Sequence, residues 1–253
     1  MRPIYTLVPV VAAIRAAASQ PSDSWVFGKS FFYLGPPSGN ARITKATYSI
    51  LPPSVPTNTT VSNKNDEVWV SVWVGASSTA GDENANLYQP LFNWSPNQES
   101  QGCSASADEW CVAASTYTPD LQIGQEYVTV PQNTTVEFEI AVVNGKVVQT
   151  VTMEDNIISK QSDTLDASLQ YLYSSNECYT GSGGCGTLAG YSITNLKVTL
   201  SEADTNFANV MRLNKVTEST FKSTDGGITW HTDKITVSSI DFDSSSDTEV
   251  SSY

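Results

Sequence analysis

The sequence predicts an all-β protein, a two-sheet antiparallel β-sandwich of concanavalin-like or jelly-roll type. Three observations carry that prediction. Period-two alternation dominates the middle of the chain, in runs rich in Val, Ile, Thr and aromatic residues. Helical periodicity is nearly absent beyond the first residues. The runs are short and parted by polar turns, the pattern of many antiparallel strands whose apolar faces bury each other as two layers.

The clearest strand spans 67–75, EVWVSVWVG, where Val68, Val70, Val72 and Val74 share one face and Trp69, Ser71 and Trp73 the other. The valine face is expected to fill the core. The other face is then either a patch under a loop or the lining of a concave groove. Further strands are expected at 48–51, 126–130, 135–143, 146–154, 168–173 and 191–200. Asn144-Gly145 between two of them marks a hairpin, because this pair suits the positive φ angles of a type I′ turn. No Pro-rich or Gly/Ser-rich linker divides the chain, so 24–240 is read as one domain. The end, 241–253, is acidic and serine-rich and is expected to be a disordered tail.

The first 18 residues read as a secretory signal: basic Arg2, an apolar run from Ile4 to Ile14, then Ala16, Ala17 and Ala18 as small residues before a cleavage site. That run is too short to span a bilayer, and no later window approaches the roughly 20 apolar residues a membrane helix needs. A secreted protein, or one of the secretory-pathway lumen, is expected, with no membrane span. Sequons at Asn58, Asn93 and Asn133 lack a middle proline, so each predicts an exposed backbone and an N-linked glycan. Cys103, Cys111, Cys178 and Cys185 form an even set, suited to an oxidising compartment. Four cysteines allow three connectivities. Cys103 with Cys111 and Cys178 with Cys185 is favoured, each closure contributing roughly 2 to 3 kcal/mol. A zinc site is disfavoured, since neither pair has CxxC spacing and the single histidine, His231, is far away in sequence. The formal charge of −13 becomes −15 once residues 1–18 go, since they hold Arg2 and Arg15 and no acid. Nucleic acid is a poor partner for such a surface.

One set of residues resembles the fungal glutamic peptidases, the eqolisins: Ser71-Val72-Trp73-Val74-Gly75, then Leu87-Tyr88-Gln89, then the hairpin from Val143 to Thr152. The resemblance covers roughly 67–200. It implies a concanavalin-like sandwich with a Gln and Glu pair on the concave face, and Gln89 takes the place of the catalytic glutamine. The glutamate's place falls at Gln170, where an amide cannot act as general base. Peptidase chemistry is therefore expected to be lost, unless Glu137, Glu139 or Glu177 supplies the acid.

A second resemblance rests on Trp73-Val74-Gly75, the segment Leu87 to Ser95, the chain length, the signal and the sequons. With these features the chain looks similar to the fungal secreted, glycosylated hetero-Diels-Alderases, which join tropolones to humulene-type sesquiterpenes. The resemblance implies small, apolar substrates and an enzymatic role. Loss of water from a hydroxymethyl tropolone gives a quinone methide that adds across an alkene, and neither step demands a cofactor or a metal. Trp69, Trp73, Ser71, Glu137 and Tyr171 would line the substrate site, with Gln89, Gln170 and Glu139 as the catalytic set. Such a protein acts by holding two reactants in near-attack geometry and donating hydrogen bonds to the tropolone oxygens.

Other readings compete. Alternating tryptophans are more often packing than platform, and Glu137 with Glu139 are more often solvated than catalytic. Trp230-His231-Thr232-Asp233 lacks any nucleophile context for a hydrolase triad. Asp82-Glu83 and Asp108-Glu109 lack EF-hand spacing and read as solvated loop acids. A non-catalytic carbohydrate-binding protein would use an aromatic groove equally well.

Overall fold

The computed structural model describes residues 25–250, so the expected signal segment and residues 251–253 lie outside the described residues. Among these, two antiparallel sheets of 12 and 8 strands form the body of a β-sandwich. In the first sheet the strand Trp69–Ser77 is central, paired with Tyr171–Tyr179 on one side. On its other side it pairs with an interrupted strand made of Leu87–Tyr88 and Leu91–Trp94. The second sheet runs Asn156–Thr164, Lys146–Met153, Val136–Val143, Ile43–Leu51, Tyr191–Leu200, Thr229–Val237, Val216–Glu218.

The core lies between the sheets, where Val68, Val70, Val72 and Val74 meet Tyr48, Ile50, Phe138 and Ile140. As expected, the valine face is fully buried. Where a polar group enters this core it has a partner, as buried polar groups require. The Tyr48 hydroxyl, from the second sheet, donates to the Val74 carbonyl of the first at 2.8 Å. The Asn144-Gly145 turn has both φ angles positive, 51° and 74°.

Several elements differ from the sequence-based expectation, among them Ile43–Leu51, which is longer than expected, and Thr229–Val237, which was not expected; three others have a clear physical reason. The strand expected at 168–173 instead runs Tyr171–Tyr179. Its polar second half points Ser174 and Asn176 into the core, which hides the alternation. Both are satisfied there: Ser174 Oγ accepts from the Phe32 amide at 3.1 Å, and Asn176 Oδ1 accepts from the Tyr191 hydroxyl at 2.8 Å. The strand Asn156–Thr164 was not expected at all. It returns from Lys146–Met153 through Glu154-Asp155, which take positive φ without the usual Asn-Gly signature. Third, the described part of the 241–253 segment is not a disordered tail. Phe242 is buried in the core, and Thr248–Val250 pairs with Trp25–Gly28. Lys215 Nζ holds the turn before it, at 2.6 Å from Asp247 Oδ1. One buried aromatic and a strand pairing thus anchor a stretch whose average composition reads as solvated.

The disulfides are Cys103–Cys111 and Cys178–Cys185. Among the described residues no helix is long and apolar enough to cross a membrane.

Candidate active site

The face of the first sheet turned away from the core is as unusual as the valine face is ordinary. Register places Glu177 opposite Ser71 from one neighbouring strand and Asn93 opposite Ser71 from the other. One row across three strands therefore reads Glu177, Ser71, Asn93. The next row reads Ser175, Trp73, Leu91, and Tyr173 then stands opposite Gly75.

Trp73, Leu91 and Tyr173 form a second hydrophobic cluster, separate from the core, with Tyr33, Leu87, Tyr127 and Tyr171 packed against it. Tyr33 stacks on Tyr173 with ring centroids 5.0 Å apart, and Trp73 meets Tyr173 edge-on at 5.6 Å. Gly75 lets this happen. A Cβ there would lie 2.6 Å from Leu87 Cδ1 and 3.1 Å from Gln89 Cβ, so a side chain would push both off the sheet. Gln89 thus sits on this face between Leu87 and Leu91, and it is 4% exposed.

Glu177 carries the charge of the site. Trp73 Nε1 donates to its Oε1 at 3.1 Å. Burial pushes its carboxyl up to about 7, and the indole N–H only partly offsets that by favouring the ionised form. Among the described residues the ion pairs are Lys45–Glu139 and Lys215–Asp247, so neither brings a cation to Glu177.

The other end of the row is a hydrogen-bonded chain. Ser71 Oγ donates to Asn93 Oδ1 at 2.7 Å, and Asn93 Nδ2 donates to Gln101 Oε1. Burial raises the Tyr127 phenol, a hydrogen bond with Asn93 offsets part of this, and the Glu177 charge raises it further. Tyr127 also packs on the Cys103–Cys111 loop, so that disulfide braces the wall beside Asn93. A half-buried acid, an indole donor, a phenol and an amide thus line one aromatic surface. Such a group of residues can hold a flat apolar molecule and give it a proton.

The sequence-predicted residues divide accordingly. Trp73, Ser71, Gln89 and Tyr171 belong to this face, with Trp73 buried and Trp69 half-buried beside Tyr179 at 5.9 Å. Tyr173, and not Gln170, stands opposite Gly75, the glycine that Gln89 covers. Gln170 precedes its strand, and its amide donates to the Ser77 carbonyl at 2.9 Å. Glu137 and Glu139 lie on the second sheet, Glu137 exposed and Glu139 paired with Lys45 at 2.5 Å. They share no wall with Gln89. His231 also stands on the second sheet. Asn58 and Asn133 are exposed at positive φ, whereas Asn93 is only 3% exposed, against the expectation from its sequon.

The residues missed as a group are Tyr127, Tyr173, Asn93 and Gln101. Glu177 was weighed as an alternative acid, and its parity with Tyr171 and Tyr173 along one strand was the signal that places it. Among the described residues no cluster of three His, Cys, Asp or Glu could hold a metal ion. A surface cleft of about 710 Å³ lies elsewhere, beside Pro53, Trp110, Asn133 and Lys234, and holds none of these groups.

No protein-family model matches the chain, and no curated protein matches it. Among solved structures, a distant match is CG-16, a homodimeric agglutinin from chicken liver. It is 10% identical with a TM-score of 0.29, the alignment covering 65% of this chain and 99% of that one. At that level it lends nothing to the reading of the site, and what stands is the fold itself, an all-β antiparallel sandwich.

Proposed function

We propose that the protein is an enzyme of flat, largely apolar small molecules, with Glu177 as its general acid. The reaction that fits best is the hetero-Diels-Alder coupling of a tropolone to a humulene-type sesquiterpene. The observation that carries this is the Glu177 carboxyl, set among aromatic rings, bonded to Trp73 and pushed up to about 7. Such a group still holds its proton in mildly acidic and near-neutral solution, where a donor is needed.

The chemistry balances with this chain's own residues. Glu177 gives its proton to the hydroxyl of a hydroxymethyl tropolone, the C–O bond breaks and water leaves. The ring hydroxyl of the tropolone returns a proton to the carboxylate, leaving a neutral quinone methide. Cycloaddition to the alkene then forms one C–C and one C–O bond with no atom lost. The protein's part in that step is to hold the two partners against the Trp73 and Tyr173 rings in near-attack geometry.

A glutamic-type peptidase is the second reading, favoured by one observation: Glu177 and Asn93 flank Ser71, an acid and an amide on one face. Two strand spacings, roughly 9 to 10 Å, separate them. It is the weaker reading because a peptidase working in acid needs an ionised base, and Glu177 is protonated there.

The test is to express the protein through a eukaryotic secretory pathway and supply a hydroxymethyl tropolone and a humulene-type alcohol. The product is followed by chiral chromatography with mass detection. A single enantiomer formed faster than in the boiled control is expected, with Glu177→Gln slower by about 100-fold, as for loss of a general acid. A racemic product at the uncatalysed rate sinks the coupling. Proteolysis at acid pH that is lost in Glu177→Gln would establish the peptidase, and glycan binding without turnover would establish a carbohydrate-binding protein.

A further inference from the structure

The cleft of about 710 Å³ beside Pro53 and Asn133 is large enough to take a small ligand, and it lies apart from the aromatic face. Its walls are fixed from within. The Trp110 indole donates to the Pro53 carbonyl at 2.8 Å, and Gln132 Nε2 donates to the Asp108 carbonyl at 3.3 Å. Leu51 lines the cleft and is 47% exposed, at the end of a strand whose inward residues are buried. Around it stand hydroxyls and an amide, those of Ser54, Ser192, Thr194 and Gln132. An apolar spot ringed by such groups suits a sugar, whose C–H face packs on carbon while its hydroxyls exchange hydrogen bonds.

A sequon opens onto this cleft. Asn133, the first residue of Asn133-Thr134-Thr135, is exposed on a turn at φ 62° and lines the rim. Thr135 lines it too, and the next residue, Val136, pairs with Ile50, beside Leu51. Leu51 in turn pairs with Ser192, and Thr194 with Lys234. The cleft therefore runs from the sequon over Leu51 toward Lys234 across four neighbouring strands, about 14 Å for three strand spacings.

We infer that the glycan on Asn133 lies back in this cleft as a ligand tethered to its own site, its first sugars covering Leu51 and later ones reaching Lys234. Among the described residues neither ion pair uses Lys234, so its ammonium is left to donate to sugar hydroxyls. Tethering raises the local concentration of the sugar to about the millimolar range, so weak contacts suffice to keep the cleft filled. Asn58 is also exposed at φ 62° but lines no part of the cleft, and it serves as the control.

The experiment compares the secreted, glycosylated protein with Asn133→Gln and Asn58→Gln by hydroxyl-radical oxidation and lysine acetylation, both mapped by mass spectrometry. Leu51 should oxidise and Lys234 acetylate several-fold faster in Asn133→Gln, while Asn58→Gln matches the native protein at both. Thr135→Val loses the sequon and should behave as Asn133→Gln; Thr135→Ser keeps it and should behave as the native protein. Enzymatic removal of the glycans from the folded native protein should expose Leu51 in the same way. Melting temperature tests the contact itself. Leu51→Ser should lower it by about 2 to 4 °C more in the glycosylated protein than in Asn133→Gln, where Leu51 has no sugar to lose. Equal oxidation of Leu51 with and without the glycan, or a secreted protein with no sugar at Asn133, overturns the inference. Protection of Leu51 with additive melting shifts marks a glycan that only shades the surface, and overturns it as well.

Discussion

The two faces of the Trp69–Ser77 strand are nearly equally buried and quite differently built. On the inner face Val70, Val72 and Val74 have no exposed surface, and the polar groups beside them, Ser174 and Asn176, each have a hydrogen-bond partner. On the outer face Ser71, Trp73 and Gly75 lie among an acid, two amides, a phenol and polar atoms that lack partners. A protein seeking only stability would not bury the second set, because each unpartnered group costs about 1 to 3 kcal/mol. Burial alone therefore does not separate core from site. The chemistry of what is buried does.

The largest effect expected is on the inner side. Phe92 stands on the strand next to the site, yet it points inward, edge-on to Trp110 and Phe138. Phe92→Ala should cost about 3 to 5 kcal/mol in urea unfolding while the protein that remains folded keeps its turnover. Turnover lost in step with Trp73 variants would erase the contrast between the faces.

Glu177 tests the outer side by its pH dependence. Its pKa in the folded protein lies above the ordinary 4.5, so ionisation destabilises the fold. The stability of the native protein relative to Glu177→Gln should thus be greatest below pH 4.5, fall as the pH rises, and level off above about 7. The whole change is about 3 kcal/mol by linkage. A flat difference across that window would mean that the carboxyl is not held in an apolar setting. Trp73→Phe is a smaller change that keeps the ring and removes the N–H. It should raise the Glu177 pKa further, moving the alkaline limb of the rate profile to higher pH. A limb that does not move would remove Trp73 from the acid's environment.

Much of this was legible in the sequence, and unevenly so. The valine face of 67–75 and the Asn144-Gly145 hairpin were plain because one periodicity and one turn pair fix them locally. The pairing of Cys103 with Cys111 followed from short closures. The site was legible only in part. Trp73, Ser71 and Gln89 announced themselves on one strand and its neighbour. Their partner was sought at Gln170 because Ser174 and Asn176, polar but inward, disguised where that strand runs. The register that sets Glu177 beside Ser71 is a long-range fact, decided by which strands pair. Glu137 and Glu139 showed the converse: a sound local alternation on a strand that belongs to the other sheet.

The smallest effect expected is none at all, at one of the three sequons. Asn58 and Asn133 sit on exposed turns at φ 62°, where a glycan can be housed. Asn93 faces the site, with its Oδ1 accepting from Ser71 and its Nδ2 donating to Gln101. A glycan on that nitrogen would replace one of its two hydrogens beside Gln101 and could not be housed at a residue 3% exposed. Glycans are added before folding completes, so any chain modified at Asn93 would fail to close the Cys103–Cys111 loop over Tyr127. Enzymatic deglycosylation in heavy-oxygen water followed by peptide mapping should convert Asn58 and Asn133 to labelled Asp and leave Asn93 unchanged. A labelled Asp at residue 93 in active protein would place that side chain in solvent. It would also remove the amide from the row on which both proposed chemistries depend.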